Sequence, residues 1–401
     1  MNFTRNTLTL ILFSACFALT APADDPTVTD ISVRQRWPWS RLVDIDYVLN
    51  GDAAQRIDIA VSASDGSVPL TLPIPSLSGD LYSVSPGQRR IVWDPTRSAY
   101  TNNILTRFSV SLTPTLTPLY MVIDLTKTAG AAGQIEHIYE PDLASGTYGT
   151  VATNPVNGIS SIAWTGVTNN PAYKDTHLVL RRVRAGYVLT ESNTTVTVEH
   201  DYYIAVFEFT QHQWRRITGS YPNCKFATNK DQPVETVASY NTLRGSTSAG
   251  INWPSTGGQV SPNSFIANVR TQTGVNTVDL PDNAQWEYAC RAGTSTLFHN
   301  NDPEPTPTAN SLRGFACFGL SENGPTASVG SFQPNAWGIY DMHGNVQEWT
   351  LNGNDAGNRI RRGGTFRYEA ARCISSFSNP SPSNDGDAYG LNGFRLVINL
   401  D

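Results

Sequence analysis

LPDNAQWEYACRAGT at residues 280–294 and YDMHGNVQEW at 340–349 are the two stretches on which the reading of this chain turns. In the first, Pro281 and Asp282 suit the opening turn of a helix and Gly293 supplies its stop. A second helical stretch, TQHQWRRITG, opens on Thr210. Around both, short runs such as YMVIDL and HLVLRRV alternate with long Gly, Asn, Ser and Pro-rich segments. That much irregular chain needs ions, disulfides or many side-chain to backbone hydrogen bonds to hold it.

The N-terminal third is different. From Thr27 to about Pro114, TDISVRQRW, RLVDIDYVL, QRIDIAVSAS, QRRIVWDP and TRFSVSLTP alternate with period two, separated by turn signals at Asn50-Gly51, Asp65-Gly66 and Pro86-Gly87. This spacing predicts an antiparallel β-sandwich, immunoglobulin-like in general shape, over 24–116. Asp44 and Asp46 alternate with Val43, Ile45 and Tyr47, so they read as a solvated strand face with no catalytic character. The Pro/Thr-rich TPTLTPLY marks the boundary to a second domain over 117–401.

With 401 residues, two globular units are the natural expectation. Apolar residues at 39% against charged ones at 15%, with 31 Gly and 25 Pro, point to a folded, turn-rich chain rather than a disordered one. A net charge of -6 without a long basic run gives no support to nucleic-acid or anionic-membrane binding. Residues 1–23 read as an export signal: Arg5, the apolar run LTLILFSACFALTA and the small-x-small APA ending at Ala23. The run is shorter than the ~20 residues of a spanning helix, so the mature chain is expected to be secreted, periplasmic or on the cell surface without a transmembrane segment. FSAC also loosely resembles a lipoprotein signal lipidated at Cys16.

Export leaves Cys224, Cys290, Cys317 and Cys373, an even number that suggests disulfides with three possible connectivities. His137, His177, His200, His212, His299 and His343 are scattered and no HExxH occurs, so zinc is not expected.

YYIAVFEFTQHQW (202–214), DQPVETVASYN (231–241), LPDNAQWEYACRAGT, SVGSFQPNAWGIYDMHGNVQEW (328–349), RIRRGGTF (359–366) and GFRLV (393–397) together resemble the formylglycine-generating enzyme, or sulfatase-modifying factor, family. The resemblance implies a C-type-lectin-related α+β fold with little regular secondary structure and bound calcium. In the enzymes it implies a copper- and oxygen-dependent oxidation of a sulfatase cysteine. The family's better calcium site falls on Asp341, Gly344, Val346 and Glu348, where a tight Gly-containing turn aims carbonyls and two carboxylates at one hard cation. A second falls on Asn310, Ser311, Asn323 and Pro325, with Asn323 where a charged Asp is usual.

The catalytic pattern places two cysteines five residues apart after Arg-Gly-Gly-Ser. In RRGGTFRYEAARC (361–373), Thr365 takes the serine position, Tyr368 the first cysteine, Glu369 a nearby histidine and Cys373 the second cysteine. One thiolate cannot supply the paired sulfur site that Cu(I) favours, so copper is not expected. Cys373 then reads either as a residual catalytic cysteine or as a disulfide partner, most simply of Cys290, with Cys224 pairing Cys317.

Variable ligand-binding relatives of this fold diversify the segment before the final GFR strand. Here that segment offers Arg367, Tyr368, Glu369, Phe377, Asn379, Asn384, Asp387, Tyr389 and Asn392 as candidate contacts to a protein or glycan. The leading expectation is an exported, calcium-stabilised pseudoenzyme acting as a recognition module. An oxidoreductase that generates formylglycine or modifies proteins otherwise, and a purely structural surface protein, are the alternatives.

Overall fold

A computed structural model describes residues 25–400 apart from 37–39, 54, 74–75, 83, 101–104, 117, 140–150, 157–158, 246–258, 322–323, 354–358 and 382–390. The expected signal segment with Cys16, together with Asn323, Asn384, Asp387 and Tyr389, lies outside the described residues. Among the described residues, no helix is long and apolar enough to cross a membrane.

The first unit holds strands β1 (Thr27–Gln35), β2 (Val43–Asn50), β3 (Ile57–Asp65), β4 (Val68–Leu70), β5 (Leu77–Gly79), β6 (Gly87–Trp93) and β7 (Phe108–Leu116). They form a four-stranded sheet ordered β1-β2-β6-β5 and a three-stranded sheet ordered β4-β3-β7. Apolar residues from both sheets, Ile45, Ile57, Ile91 and Leu112 among them, meet in one core. Trp93 stacks on Phe108 at 5.3 Å within it. The Asp65-Gly66 turn closes a hairpin in which Asp65 faces Val68, and Gly66 takes φ +63.

The reading of Asp44 as solvated is corrected. Its side chain is 1% exposed and accepts from Arg36 at 2.6 Å and Arg34 at 3.1 Å. The Arg36 hydrogen bond holds its carboxyl below the usual range. Period two places residues on a face but does not show which faces long arginine stems cover.

The second unit begins with β8 (Tyr120–Asp124), β9 (Ile135–Ile138), β10 (Val151–Val156), β11 (Ile159–Trp164), α1 (Ala172–Asp175), β12 (His177–Val183), β13 (Gly186–Leu189), β14 (Thr195–Val198) and β15 (Tyr202–Ala205). It continues with α2 (Gln211–Thr218), α3 (Tyr240–Arg244), α4 (Phe265–Thr273), β16 (Val278–Asp279) and α5 (Asn283–Arg291). It ends with β17 (Gln347–Gly353), β18 (Arg359–Arg362), β19 (Ser378–Ser381), β20 (Asn392–Gly393) and β21 (Val397–Asn399). A six-stranded antiparallel sheet runs β16-β21-β15-β12-β8-β9, and a four-stranded sheet runs β19-β18-β17-β20 with β17 and β20 parallel.

Both expected helices form. Thr210 caps α2 through a reciprocal box with Gln213, and Asp282 does the same for α5 with Gln285. Asp282 is thus the cap rather than a first-turn residue, and Ala292, at φ 45, precedes Gly293 in the left-handed exit. Trp214 of α2 stacks on Phe265 of α4 at 4.3 Å, tying the helices to the core that Phe209 and Phe394 share.

The two units meet at a polar seam. Asp58 of β3 takes Arg184 at 2.8 Å and lies 3.7 Å from Arg182, which also binds Asp201. Arg184 lies over the Tyr82 ring at 5.1 Å.

Candidate functional site

Alternation along β17 sorts the second half of YDMHGNVQEW onto two faces of the four-stranded sheet. Glu348 and its register partner Arg362 share one; Gln347, Trp349 and Arg361 share the other. On the first face the Glu348 carboxylate accepts from Arg395 Nε at 2.6 Å and Nη2 at 2.7 Å, and from Trp286 Nε1 at 2.8 Å. Arg362 donates to Glu287 at 3.0 Å, whose other oxygen takes Arg291 Nε at 2.9 Å. All these side chains are buried, and every charged group has a charged partner at hydrogen-bond distance.

Close to this network sit two further buried acids. Glu208, which sequence reading passed over, accepts from Asn345 Nδ2 at 2.6 Å and from the Val346 N–H at 3.2 Å. Burial, helped by the charges of Asp341 and Glu348, raises its pKa well above the ordinary value. Asp341 adopts φ 58 and accepts from the Gly330 N–H at 2.6 Å through Oδ2. Burial pushes it up to about 6, and its Oδ1 is buried without a hydrogen-bond partner.

Asp341 Oδ1 therefore fits a hard cation, whereas both Glu348 oxygens already hold Arg395. Among the described residues no three His, Cys, Asp or Glu side chains gather to hold a metal, so a calcium ion here would depend on Asp341 and backbone carbonyls. At the second expected site, Asn310 and Pro325 are exposed and the Ser311 carbonyl accepts from Asn300 Nδ2 at 2.7 Å.

Beyond β18 the chain turns through Gly363 (φ 90) and Gly364 (φ 79). A Cβ on Gly364 would lie 2.5 Å from both Cys373 Sγ and the Arg372 carbonyl, so the glycine is what lets Cys373 fold back onto the strand. Thr365 is fully buried, its Oγ1 accepting from the Arg367 N–H at 3.2 Å. Tyr368 is half-buried beneath Arg372, whose guanidinium lies 5.0 Å from the ring centroid, and Glu369 is exposed. Cys373 has no exposed surface, and burial pushes its thiol up to about 12. This strand offers no pair of thiolates and does not fit copper.

All four cysteines are free thiols, and neither expected disulfide is formed. Cys290 faces His343 at 3.8 Å and Ser375 Oγ at 3.6 Å, while Cys224 lies against the backbone of Glu235 at 3.4 Å. Cys373 instead joins Phe298, Leu312 and Ala316 in a separate apolar cluster. Nearby, His299 stacks on His343 at 4.7 Å, and His343 Nδ1 bonds the Cys373 carbonyl at 2.7 Å.

Of the candidate contact residues, the structure brings Asn379 and Asn392 together on the second face of the sheet, beside Gln347 and Arg361. Arg361 Nη1 donates to Asn392 Oδ1 at 2.6 Å, and Asn379 Nδ2 donates to Gln347 Oε1 at 3.1 Å. The Arg361 guanidinium lies 5.3 Å from the Trp349 ring centroid. Arg367 lies elsewhere, over Phe226 at 4.4 Å, and the Phe377 carbonyl is turned toward Arg362. Gln347 and Arg361 were missed from sequence; alternation in GNVQEW, which sets Gln347 and Trp349 opposite Glu348, was the available signal.

The sulfatase-modifying factor enzyme 1-like domain model matches residues 175–400. The chain belongs to this family. The formylglycine-generating enzyme of Mus musculus is 31% identical over 142 residues, which cover 29% of this chain and 38% of that enzyme. The chain thus spans well under half the length of that relative. The chaperone protein LppX of Paenibacillus barcinonensis is 29% identical over 241 residues, covering 51% of this chain and 82% of LppX. Among solved structures, Treponema denticola variable protein 1 aligns over 63% of this chain and 99% of its own, at TM-score 0.42 and 19% identity. PvdO from Pseudomonas aeruginosa aligns over 56% of this chain and 95% of its own, at TM-score 0.43 and 20% identity.

Proposed function

We propose that this family member is an exported, non-catalytic recognition protein stabilised by calcium. The observation that carries the reading is the state of Cys373: fully buried, its thiol pushed up to about 12 by that burial, with Tyr368 where a second thiolate would be needed. A fully buried thiol with no second thiol in this strand offers Cu(I) no paired sulfur ligands and offers a substrate no accessible nucleophile. Calcium would be held by Asp341 Oδ1 with carbonyls of the Gly344–Val346 turn, and would supply charge neutralisation for the buried acids. A protein partner is favoured over a glycan because the relative named a chaperone protein aligns over 82% of its own length.

The test is metal analysis and thiol titration of the purified protein, with a copper-supplied aldehyde assay on a sulfatase-type cysteine peptide. Expected are bound calcium, no copper, four free thiols of which buried Cys290, Cys317 and Cys373 react only on unfolding while half-buried Cys224 reacts first, and no aldehyde; N-terminal sequencing should begin at Asp24. Stoichiometric copper with aldehyde formation would establish the oxidoreductase reading instead.

A further inference from the structure

We propose that the sheet face carrying Gln347 and Asn392 is the recognition site and that it binds a carboxylate presented by the protein partner; this rests on the recognition reading above. Gln347 and Asn392 are register partners on the parallel strands β17 and β20. Their side chains therefore leave the same face from backbones about 4.8 Å apart.

The orientation of the Asn392 amide is fixed by its oxygen. Asn392 Oδ1 takes the Arg361 guanidinium, and Gln347 Oε1 takes Asn379 Nδ2. A guanidinium has no acceptor, so Asn392 gains nothing by turning its nitrogen toward it. Both amide nitrogens, Gln347 Nε2 and Asn392 Nδ2, are left buried without a partner. The two residues are 0% and 1% exposed, and a buried unpaired donor costs about 1–3 kcal/mol.

Among the described residues the face is thus rich in donors, with the Arg361 guanidinium held beside it by Asn392. A carboxylate is an acceptor-only group with room for several N–H bonds, and charge-assisted bonds of this kind are the stronger class. A hydroxyl or a water molecule would bring its own donors to a face that already has too many. Approach is from β19, the outer strand, where Asn379 is half-buried and Ser378 and Pro380 are exposed.

The experiment follows side-chain 15N amide signals of the full chain, those of Gln347 and Asn392 being assigned by their loss in Gln347→Glu and Asn392→Asp. Glutarate should shift both signals to saturation, with glutaramide about tenfold weaker or worse, and Gln347→Glu should weaken glutarate binding about tenfold or more. Should Gln347→Glu fail to fold, Asn392→Asp tests the same loss. Equal responses to glutarate and glutaramide, or signals unmoved by a protein partner that does bind, would overturn the site and leave the recognition reading standing. Copper-dependent aldehyde formation would overturn the recognition reading itself.

Discussion

The two faces of the β19-β18-β17-β20 sheet are built from neighbouring residues and obey opposite rules. On one, Glu348 and Arg362 are closed into ion pairs with Arg395 and Glu287. On the other, one residue away in sequence, Gln347 and Asn392 keep amide donors with nothing to bind. The first face is complete as it stands and holds the fold; on the second, among the described residues, two amide nitrogens find no acceptor. Where a buried polar group is satisfied, its neighbours fix it for stability; the unsatisfied pair is the feature on which the proposed carboxylate site rests.

The largest effect should come from breaking the closed face. Arg395→Met leaves Glu348 buried without its cation and should cost about 3–5 kcal/mol in denaturant unfolding, with part recovered in Arg395→Met/Glu348→Gln. A loss under about 1 kcal/mol would mean that the pair is not the tie it looks like. Next comes the turn that leaves β18. Gly364→Ala places a Cβ against Cys373 at a positive φ and should cost about 1–3 kcal/mol, read as a lower thermal midpoint and faster thiol labelling.

Acid should loosen the closed face at its rim. Burial raises the Glu191 carboxyl, but the Ser376 hydroxyl and Arg291 outweigh that and hold it below its ordinary value. A depressed carboxyl contributes stability above its unfolded pKa of about 4.3 and loses it as pH falls through the folded value. The thermal midpoint should therefore drop below about pH 4 more steeply in the native protein than in Glu191→Gln; parallel curves would remove Glu191 from the account. The smallest effect, and the sharpest contrast, is Gln347→Leu. It deletes an unpaired donor together with an acceptor that water can replace at half-buried Asn379, so stability should change by no more than about 1 kcal/mol, in opposition to Arg395→Met.

Much of the fold was legible in the sequence. Period-two runs gave the strands of the first unit, and Thr210 and Asp282 announced the two capped helices. The α4 helix was signalled by Ser264 before and Gly274 after, but its weakly amphipathic stretch hid it. The pairing of Gln347 with Asn392 was not legible, because it joins strands 45 residues apart whose register follows from the whole sheet. The same holds for Asp44, whose burial depends on arginines from two other segments. The cysteines misled because an even count favours disulfides only when side chains converge, and Gly364 draws Cys373 into a different cluster from Cys290.

Asp58 belongs to the first unit, yet the guanidinium groups it faces, Arg182 and Arg184, belong to the second. Cutting the chain after Leu116 to isolate the family domain would strip Arg184 of both its carboxylate and the Tyr82 ring it rests on. The family match from residue 175 is therefore not the smallest piece to express. A fragment that keeps this seam has to carry the sandwich with it, and a crystallisation or binding study should begin from both units together.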